Sequence, residues 1–372
     1  MASTKRRITP KCEGSYRFDP DLFFEQWNDK SSPQHSGDFR NSIIRSFGLK
    51  PDDSYQYHAE IAVVTLKDAQ QVVDFGEVGG LHSWYLDEKE KELPHPSPDD
   101  SKAYASLFLP TNNLVRALTG FRSNAKKGSL REQIAQHLAN NLVVPIAPLA
   151  VPSKPKSAPK NPYLDLWAWS CENLEWAGPI PTNTKTEHAH HILPVLYHHF
   201  GCAVPTHAAL SLIAQVAQVR TKPKPIIEVG SGTGYWTFML RKTFPELTVL
   251  PIDNLQSKYR VRWIGDTLVQ DGPTHIVTHK GGEGQVLLLV YPIVSEDFTG
   301  KMLRAFKGDA VCVAATQNGN GHSAFKGETV ADWVKRERPD WEEAARVPLP
   351  SFAGKDEALF VFRKRAAVEE VA

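Results

Sequence analysis

The chain has 372 residues, enough for one large or two unequal domains of roughly 100 to 200 residues each and for a sizeable buried core. Its 43 basic and 42 acidic side chains leave a formal charge of +1, which excludes a global field drawing it to nucleic acid or an anionic membrane. Four cysteines, Cys12, Cys171, Cys202 and Cys312, have no CxxC spacing, so neither a structural zinc site nor a disulfide framework is expected and all four read as reduced buried thiols. Lys5-Arg6-Arg7 is followed by no apolar stretch and therefore heads no secretory signal. No run of about 18 apolar residues occurs. These features predict a cytoplasmic protein without a membrane span, the basic triplet reading either as a nuclear address or as solvated charge.

Residues 1–144 read as a mixed, mainly helical region that forms a lid, a substrate platform or a partner-binding unit. Short apolar clusters at residues 18–27 and 61–66 alternate there with charged and turn residues. Ser129-Leu130-Arg131-Glu132 has capping-box spacing, and Leu130, Ile134, Leu138 and Leu142 then recur every fourth residue, which predicts an amphipathic helix. Residues 145–162 hold six prolines with Lys154, Lys156 and Lys160 among them. Each proline lacks a backbone donor, so this stretch reads as an exposed linker or long surface loop.

Residues 163–205 form an aromatic- and histidine-rich segment placed on the substrate side. Trp167, Trp169 and Trp176 are dense enough to serve a core, with a substrate-lining role as the alternative. Residues 206–365 form the next unit and 366–372 a tail. Thr206 caps a helix in which Leu210, Ile213 and Ala217 share one face, widened by Leu212, Val216 and Val219. Lys222-Pro223-Lys224-Pro225 stops it. Apolar runs then alternate with crossover segments, at residues 226–229, 247–252, 286–290, 310–315, 347–349 and 358–362. The pattern predicts a Rossmann-like α/β fold, with a mostly parallel sheet covered on both faces and the last two runs forming an antiparallel hairpin.

The first of these runs leads into Glu228-Val229-Gly230-Ser231-Gly232-Thr233-Gly234 and then a helix from Tyr235. Glycines let the backbone reverse tightly and let a ligand come close, while the helix N-terminus offers unpaired N–H groups. The second run ends at Asp253, about twenty residues beyond the last glycine, where a carboxylate accepts from ribose hydroxyls. Tyr235 and Trp236 stand where a dinucleotide fingerprint needs glycine, which disfavours NAD. No phosphate-cradling Gly-Lys-Ser/Thr loop is present either.

This pattern resembles motif I of the class I S-adenosylmethionine-dependent methyltransferases, with Glu228 at the acidic position before the first glycine and Asp253 matching the acid that ends the second strand. The resemblance covers residues 206–365, including a leading helix and a terminal hairpin of the kind this family adds to a Rossmann sheet. Residues 350–359 also resemble a segment of uncharacterised fungal methyltransferase-like proteins. The resemblance implies S-adenosylmethionine as cofactor, with Gly230, Gly232 and Gly234 under its methionine and ribose portions and Asp253 on the ribose. It further places Asp266 near the adenine amine, and Ser231, Thr233, Tyr235 and Asn254 beside them in the cofactor set. Only about thirty residues separate Asp253 from the run at 286, so the family's helix, strand and helix must be shortened here.

In such a fold, ligands bind beyond the carboxyl ends of the strands. There the chain reads Leu289-Val290-Tyr291-Pro292-Ile293 rather than Asn-Pro-Pro-Tyr, so amide and adenine amino groups lose support as acceptors. Tyr291 reads either as an acceptor-positioning hydroxyl or as packing. Histidine suits the removal of an acceptor proton because its unperturbed pKa of about 6.5 lies near working pH. His188, His190, His191, His198, His199 and His207 crowd ahead of the glycine turn, with His198 and His199 as the catalytic candidates. A metal site and ordinary structural histidines are the competing readings, and no metal ligand set is assigned. Gln317-Asn318 and Lys355-Asp356-Glu357 read as turn chemistry. The leading expectation is methyl transfer to an oxygen or nitrogen of a small organic molecule. The alternatives are a protein-modifying or regulatory methyltransferase gripping a protein partner, and a non-catalytic interaction module of methyltransferase fold.

Overall fold

The computed structural model describes residues 18–27, 37–51, 53–57, 62–75, 84–153, 155, 160–185, 192–218, 223–257 and 259–365. Lys5-Arg6-Arg7, Cys12, Lys154, Lys156, His188, His190, His191, Val219 and the tail from 366 therefore lie outside the described residues.

The N-terminal region supplies helices α1 (Pro20–Gln26), α2 (Phe39–Phe47), α3 (Leu66–Phe75), α4 (Pro98–Ser106), α5 (Leu114–Ser123) and α6 (Leu130–Asn141). A two-stranded antiparallel ribbon, β1 (Ser54–Tyr57) with β2 (Ala62–Thr65), interrupts them. Helix α6 starts as its sequence dictates: the Ser129 hydroxyl accepts from the Glu132 N–H, and the Glu132 carboxylate reaches back to the Gly128 N–H at 2.6 Å. Its apolar positions Ile134 and Leu138 are buried.

The proline-rich stretch is strapped down along part of its length. Val143 bridges Arg346, the Ile146 N–H donates to the Ala344 carbonyl, and Ala150 and the Gln215 amide exchange two bonds of 2.9 Å. Helix α7 (Pro162–Asn173) carries Trp167 and Trp169, and Trp176 follows it; these tryptophans face the core, and the Trp167 and Trp176 indoles both donate to the Ser351 carbonyl, at 2.9 and 2.8 Å. Helices α8 (Leu193–Phe200) and α9 (His207–Gln218) follow, the latter opened by the Thr206 hydroxyl accepting from the Ala209 N–H.

The remaining elements are β3 (Ile226–Val229), α10 (Tyr235–Thr243), β4 (Val249–Asp253), β5 (Leu268–Val269), α11 (Gly272–Thr278), β6 (Val286–Val290), α12 (Phe298–Ala305), β7 (Ala310–Thr316), α13 (Val330–Glu337), β8 (Trp341–Pro348) and β9 (Glu357–Lys364). They build a seven-stranded sheet of order β5-β4-β3-β6-β7-β9-β8, parallel through β7 and antiparallel at β9 and β8. This is the Rossmann-like α/β architecture with its terminal hairpin. The hairpin inserts β9 beside β7 and leaves β8 as the edge. Strand β8 begins earlier than its apolar run suggests, because Glu342, Glu343 and Arg346 sit on an edge strand that tolerates polar side chains. The two-residue β5 is the shortened crossover after Asp253.

Side chains alternate between the two faces with the period of two that a strand imposes. Val286, Leu288, Cys312 and Ala314 point into a core shared with α7 to α10 and the N-terminal region. Leu287, Leu289, Val311 and Val313 point into a second core under α11, α12 and α13. The N-terminal region thus covers one face of the sheet and brings α8 to the carboxyl end of β3. Among the described residues, no helix is long and apolar enough to cross a membrane.

Candidate functional site

At the end of β3 the chain turns through three left-handed glycines, Gly230, Gly232 and Gly234, with φ of +76°, +56° and +80°. Two of them are fixed by what surrounds them. A Cβ on Gly234 would overlap the Ile264 side chain, and one on Gly232 would lie 2.9 Å from the Tyr259 hydroxyl. A Cβ on Gly230 would meet nothing within 4 Å, so that position opens onto free space.

The turn is anchored from β4. The Gly230 and Ser231 N–H groups both donate to the Ile252 carbonyl, at 2.8 and 3.0 Å. The Asp253 carboxylate accepts from the Gly232 N–H at 2.8 Å and from the Leu255 N–H at 2.6 Å. The Thr233 hydroxyl donates to the Phe200 carbonyl, which ties the end of α8 to the turn. Arg262 donates to the Gly232 carbonyl at 2.8 Å and lies 5.2 Å from the centre of the Tyr259 ring, so residues 259–262 fold over the glycines. Glu228 is buried beneath them and accepts from the Thr237 hydroxyl. Burial pushes its carboxyl up to about 7, against the lowering effect of that hydrogen bond.

These elements enclose a cavity of about 130 Å³ beyond the carboxyl ends of β3 and β6. It lies where the strand order reverses direction, the crevice in which open α/β sheets bind ligands. Gly230 to Thr233 form one wall, Asp253, Asn254 and Tyr259 a second, Phe200 to Cys202 a third, and Tyr291 to Ile293 a fourth. Burial pushes the Cys202 thiol up to about 12, so it is a neutral wall group and not a nucleophile.

Of the residues singled out in the sequence, Glu228, Gly230, Ser231, Gly232, Thr233, Tyr235, Asp253, Asn254 and Tyr291 line this cavity. Four do not. Gly234 faces Ile264 and serves packing. Asp266 is exposed and holds Arg241 through two bonds of 2.9 Å, because the loop after Trp263 carries it to the outer surface. His199 is fully buried, 2.9 Å from the Tyr55 hydroxyl and stacked on Phe47 with ring centres 3.9 Å apart. Burial, with the nearby His198 and Arg260, holds its imidazole well below the ordinary histidine range, so it sits as a neutral core group. His198 lies against Tyr55, with ring centres 5.7 Å apart, away from the cavity wall.

Sequence reasoning missed Tyr259, Cys202 and Gln270. Gln270 follows β5, lines the cavity, and receives position from two bonds: its N–H to the Asp253 carbonyl and its side-chain oxygen to His275 Nδ1, at 3.1 and 3.0 Å. The only sequence signal for it was its place just after a strand too short to see.

No family model matches the chain, and no curated protein matches it. Solved structures do. An uncharacterised protein from Listeria monocytogenes is 10% identical with a TM-score of 0.29, the match covering 42% of this chain and 66% of that one. The antibiotic-resistance methyltransferase Kmr is 16% identical with a TM-score of 0.27, over 45% of this chain and 98% of its own. The plantazolicin methyltransferase BpumL, solved with S-adenosylhomocysteine, is 11% identical with a TM-score of 0.29, over 42% and 82%. The chain therefore spans just under two thirds of the Listeria protein. At these scores the functional reading rests on the cavity's own geometry.

Proposed function

We propose that the cavity binds S-adenosylmethionine and that the chain transfers a methyl group to an oxygen or nitrogen of a small organic molecule. The observation that carries this reading is the pairing of the open glycine turn with Asp253 across a cavity at the point where the strand order reverses. The residues present fit the cofactor. Gly230 leaves room for close approach, the Ser231 hydroxyl is a buried polar group with no hydrogen-bond partner among the described residues, and Asp253 offers further acceptor capacity toward the ribose. Gln270 lines the cavity where Asp266 does not, and would be the side chain available to the adenine. When bound, the cofactor supplies an electrophilic methyl carbon on a positively charged sulfur.

The chain's own contribution is orientation and exclusion of water. Phe200 to Cys202 and Tyr291 to Ile293 form apolar walls around the side of the cavity that faces the N-terminal region, where alignment of an acceptor lowers the barrier to displacement. The domain roles follow: residues 206–365 hold the cofactor, and the N-terminal region with residues 163–205 closes the acceptor side.

A second reading, a non-catalytic module of this fold, has its own observation. Tyr259 leans over Gly232, and the cavity is smaller than the roughly 300 Å³ at which small-molecule sites usually begin. Calorimetry with S-adenosylmethionine and S-adenosylhomocysteine, followed by transfer of labelled methyl groups into an extract sorted into small-molecule and protein fractions, separates the readings. Binding with label in the small-molecule fraction is expected. Label in the protein fraction would replace the acceptor class, while binding without transfer, or no binding at all, would sink the enzyme reading and favour the module.

A further inference from the structure

Strand β5 ends at Val269, paired with Asp253, and the chain then runs through Gln270-Asp271-Gly272 into α11. The Gln270 N–H donates to the Asp253 carbonyl at 3.1 Å, which fixes its backbone beside the acid of the glycine turn. The Asp271 carboxylate caps α11, accepting from the Thr274 N–H and hydroxyl at 3.0 and 2.7 Å, so it is engaged by the helix. A Cβ on Gly272 would overlap the Val229 side chain, so a glycine there lets α11 start directly against β3. Gln270 and Gly272 both line the cofactor cavity, and of the two only Gln270 brings a polar side chain.

That side chain is held from behind. His275, one turn into α11 and 2% exposed, lies with Nδ1 3.0 Å from the Gln270 side-chain oxygen. His279 stacks on the His275 ring with centres 4.0 Å apart, and His279 Nδ1 donates to the His275 carbonyl at 2.8 Å. Burial, and then His279, pushes the His275 imidazole down to about 4, so near neutral pH it is uncharged and carries one ring proton. An amide oxygen has no hydrogen and can only accept, so the contact with Gln270 puts that proton on Nδ1. With its oxygen occupied by His275, Gln270 has its NH2 group left for the cavity.

We propose that His275 is a positioning residue that sets the base specificity of the cofactor site: by holding the Gln270 oxygen it presents the Gln270 amide as a hydrogen-bond donor, which selects adenine over hypoxanthine. This rests on the S-adenosylmethionine reading above. Adenine has a bare ring nitrogen beside its amine, and hypoxanthine carries a proton on that nitrogen. A carboxamide free to turn would serve either base, offering its NH2 to the first and its oxygen to the second. Held by His275, it cannot turn, and the protonated base meets donor with donor, which leaves both groups unpaired in a closed site. A carboxylate at this place would act in the opposite sense, because it can only accept.

Calorimetry with S-adenosylhomocysteine and its deaminated analogue S-inosylhomocysteine reads this specificity without turnover. The wild-type chain is expected to bind the adenine form at least about tenfold more tightly. Gln270→Glu is expected to reverse that order. His275→Leu, which releases the carboxamide, should bring the two affinities within about threefold, and His275→Asn, which places an amide N–H near the position of Nδ1, should restore the preference. Equal wild-type affinities, a tighter adenine complex in Gln270→Glu, or an undiminished preference in His275→Leu overturns the proposal. Gln270→Glu keeps the buried histidine, so it decides the question even where loss of His275 unfolds α11. NMR of the full chain with isotope-labelled histidine needs neither ligand nor variant: the His275 proton is expected on Nδ1, and a proton on Nε2 instead overturns the proposal. Failure of the wild-type chain to bind either form sinks the cofactor reading and this proposal together, whereas binding of both without preference leaves that reading standing and sinks this proposal alone.

Discussion

The glycine turn after β3 and the polar segments that flank the β7–β9 pair sit at the same carboxyl edge of one sheet, and they are assembled differently. The turn is local. Seven consecutive residues set its backbone, one carboxylate from the neighbouring strand ties it, and three positive-φ glycines record its shape in the sequence. The other site is assembled from a distance. Gln317, Asp356 and His137 meet across separations of 39 and 219 residues, and no short motif connects them. A site built from consecutive residues constrains which residue types can stand side by side. One built by packing constrains only which elements touch.

The largest expected effect breaks the local half. Gly232→Val places a β-branched side chain at φ +56° and against the Tyr259 hydroxyl, and it should remove S-adenosylmethionine binding by at least about 100-fold in calorimetry. Near-normal affinity would mean that the turn does not face the cofactor.

A second effect, of about 3 kcal/mol, lies in stability. Glu228 binds its proton more tightly when folded, at about 7, than at its ordinary value of 4.5. The stability this contributes is therefore complete below about pH 4.5 and is lost as the pH rises through 7. Glu228→Gln, which can still accept from Thr237, should be more stable than the wild type at pH 8 by about 3 kcal/mol and alike at pH 4, as read by urea unfolding. An equal difference at both pH values would mean that Glu228 titrates normally.

His199→Ala sharpens the comparison from the packed side. It removes the hydrogen bond between the imidazole and the Tyr55 hydroxyl and opens space beside Phe47, so it should cost about 2 kcal/mol of folding stability and leave cofactor affinity unchanged. A loss of turnover at unchanged stability would restore His199 as a catalytic candidate. The smallest effect is that of Asp266→Ala. Its pair with Arg241 is partly exposed, so a stability loss below about 1 kcal/mol and no change in affinity are expected from the same two measurements.

Much of the fold was legible in the sequence. The apolar runs at 226–229 and 286–290 coincide with β3 and β6, the Thr206 cap opens α9, and the last two runs pair as an antiparallel hairpin. The β1–β2 ribbon escaped notice because four-residue strands in a helical region leave too short a period to read. Asp266 matches the acid that the resemblance implies near the adenine only in its residue type and its distance along the chain. A two-residue strand and the loop after Trp263 moved the cavity-facing position to Gln270, which spacing alone could not show.

By itself the sequence determined the glycine turn, its acid and the order of strands, because backbone conformation and side-chain period act between near neighbours and leave their mark in consecutive residues. Tertiary structure alone decided which polar groups are buried together. Burial depends on what covers a residue, and here that cover comes from α6 and α8 and from segments hundreds of residues away. It withdrew His199 into the core, turned Asp266 to the surface, and buried Asp356 between His137 and Gln317.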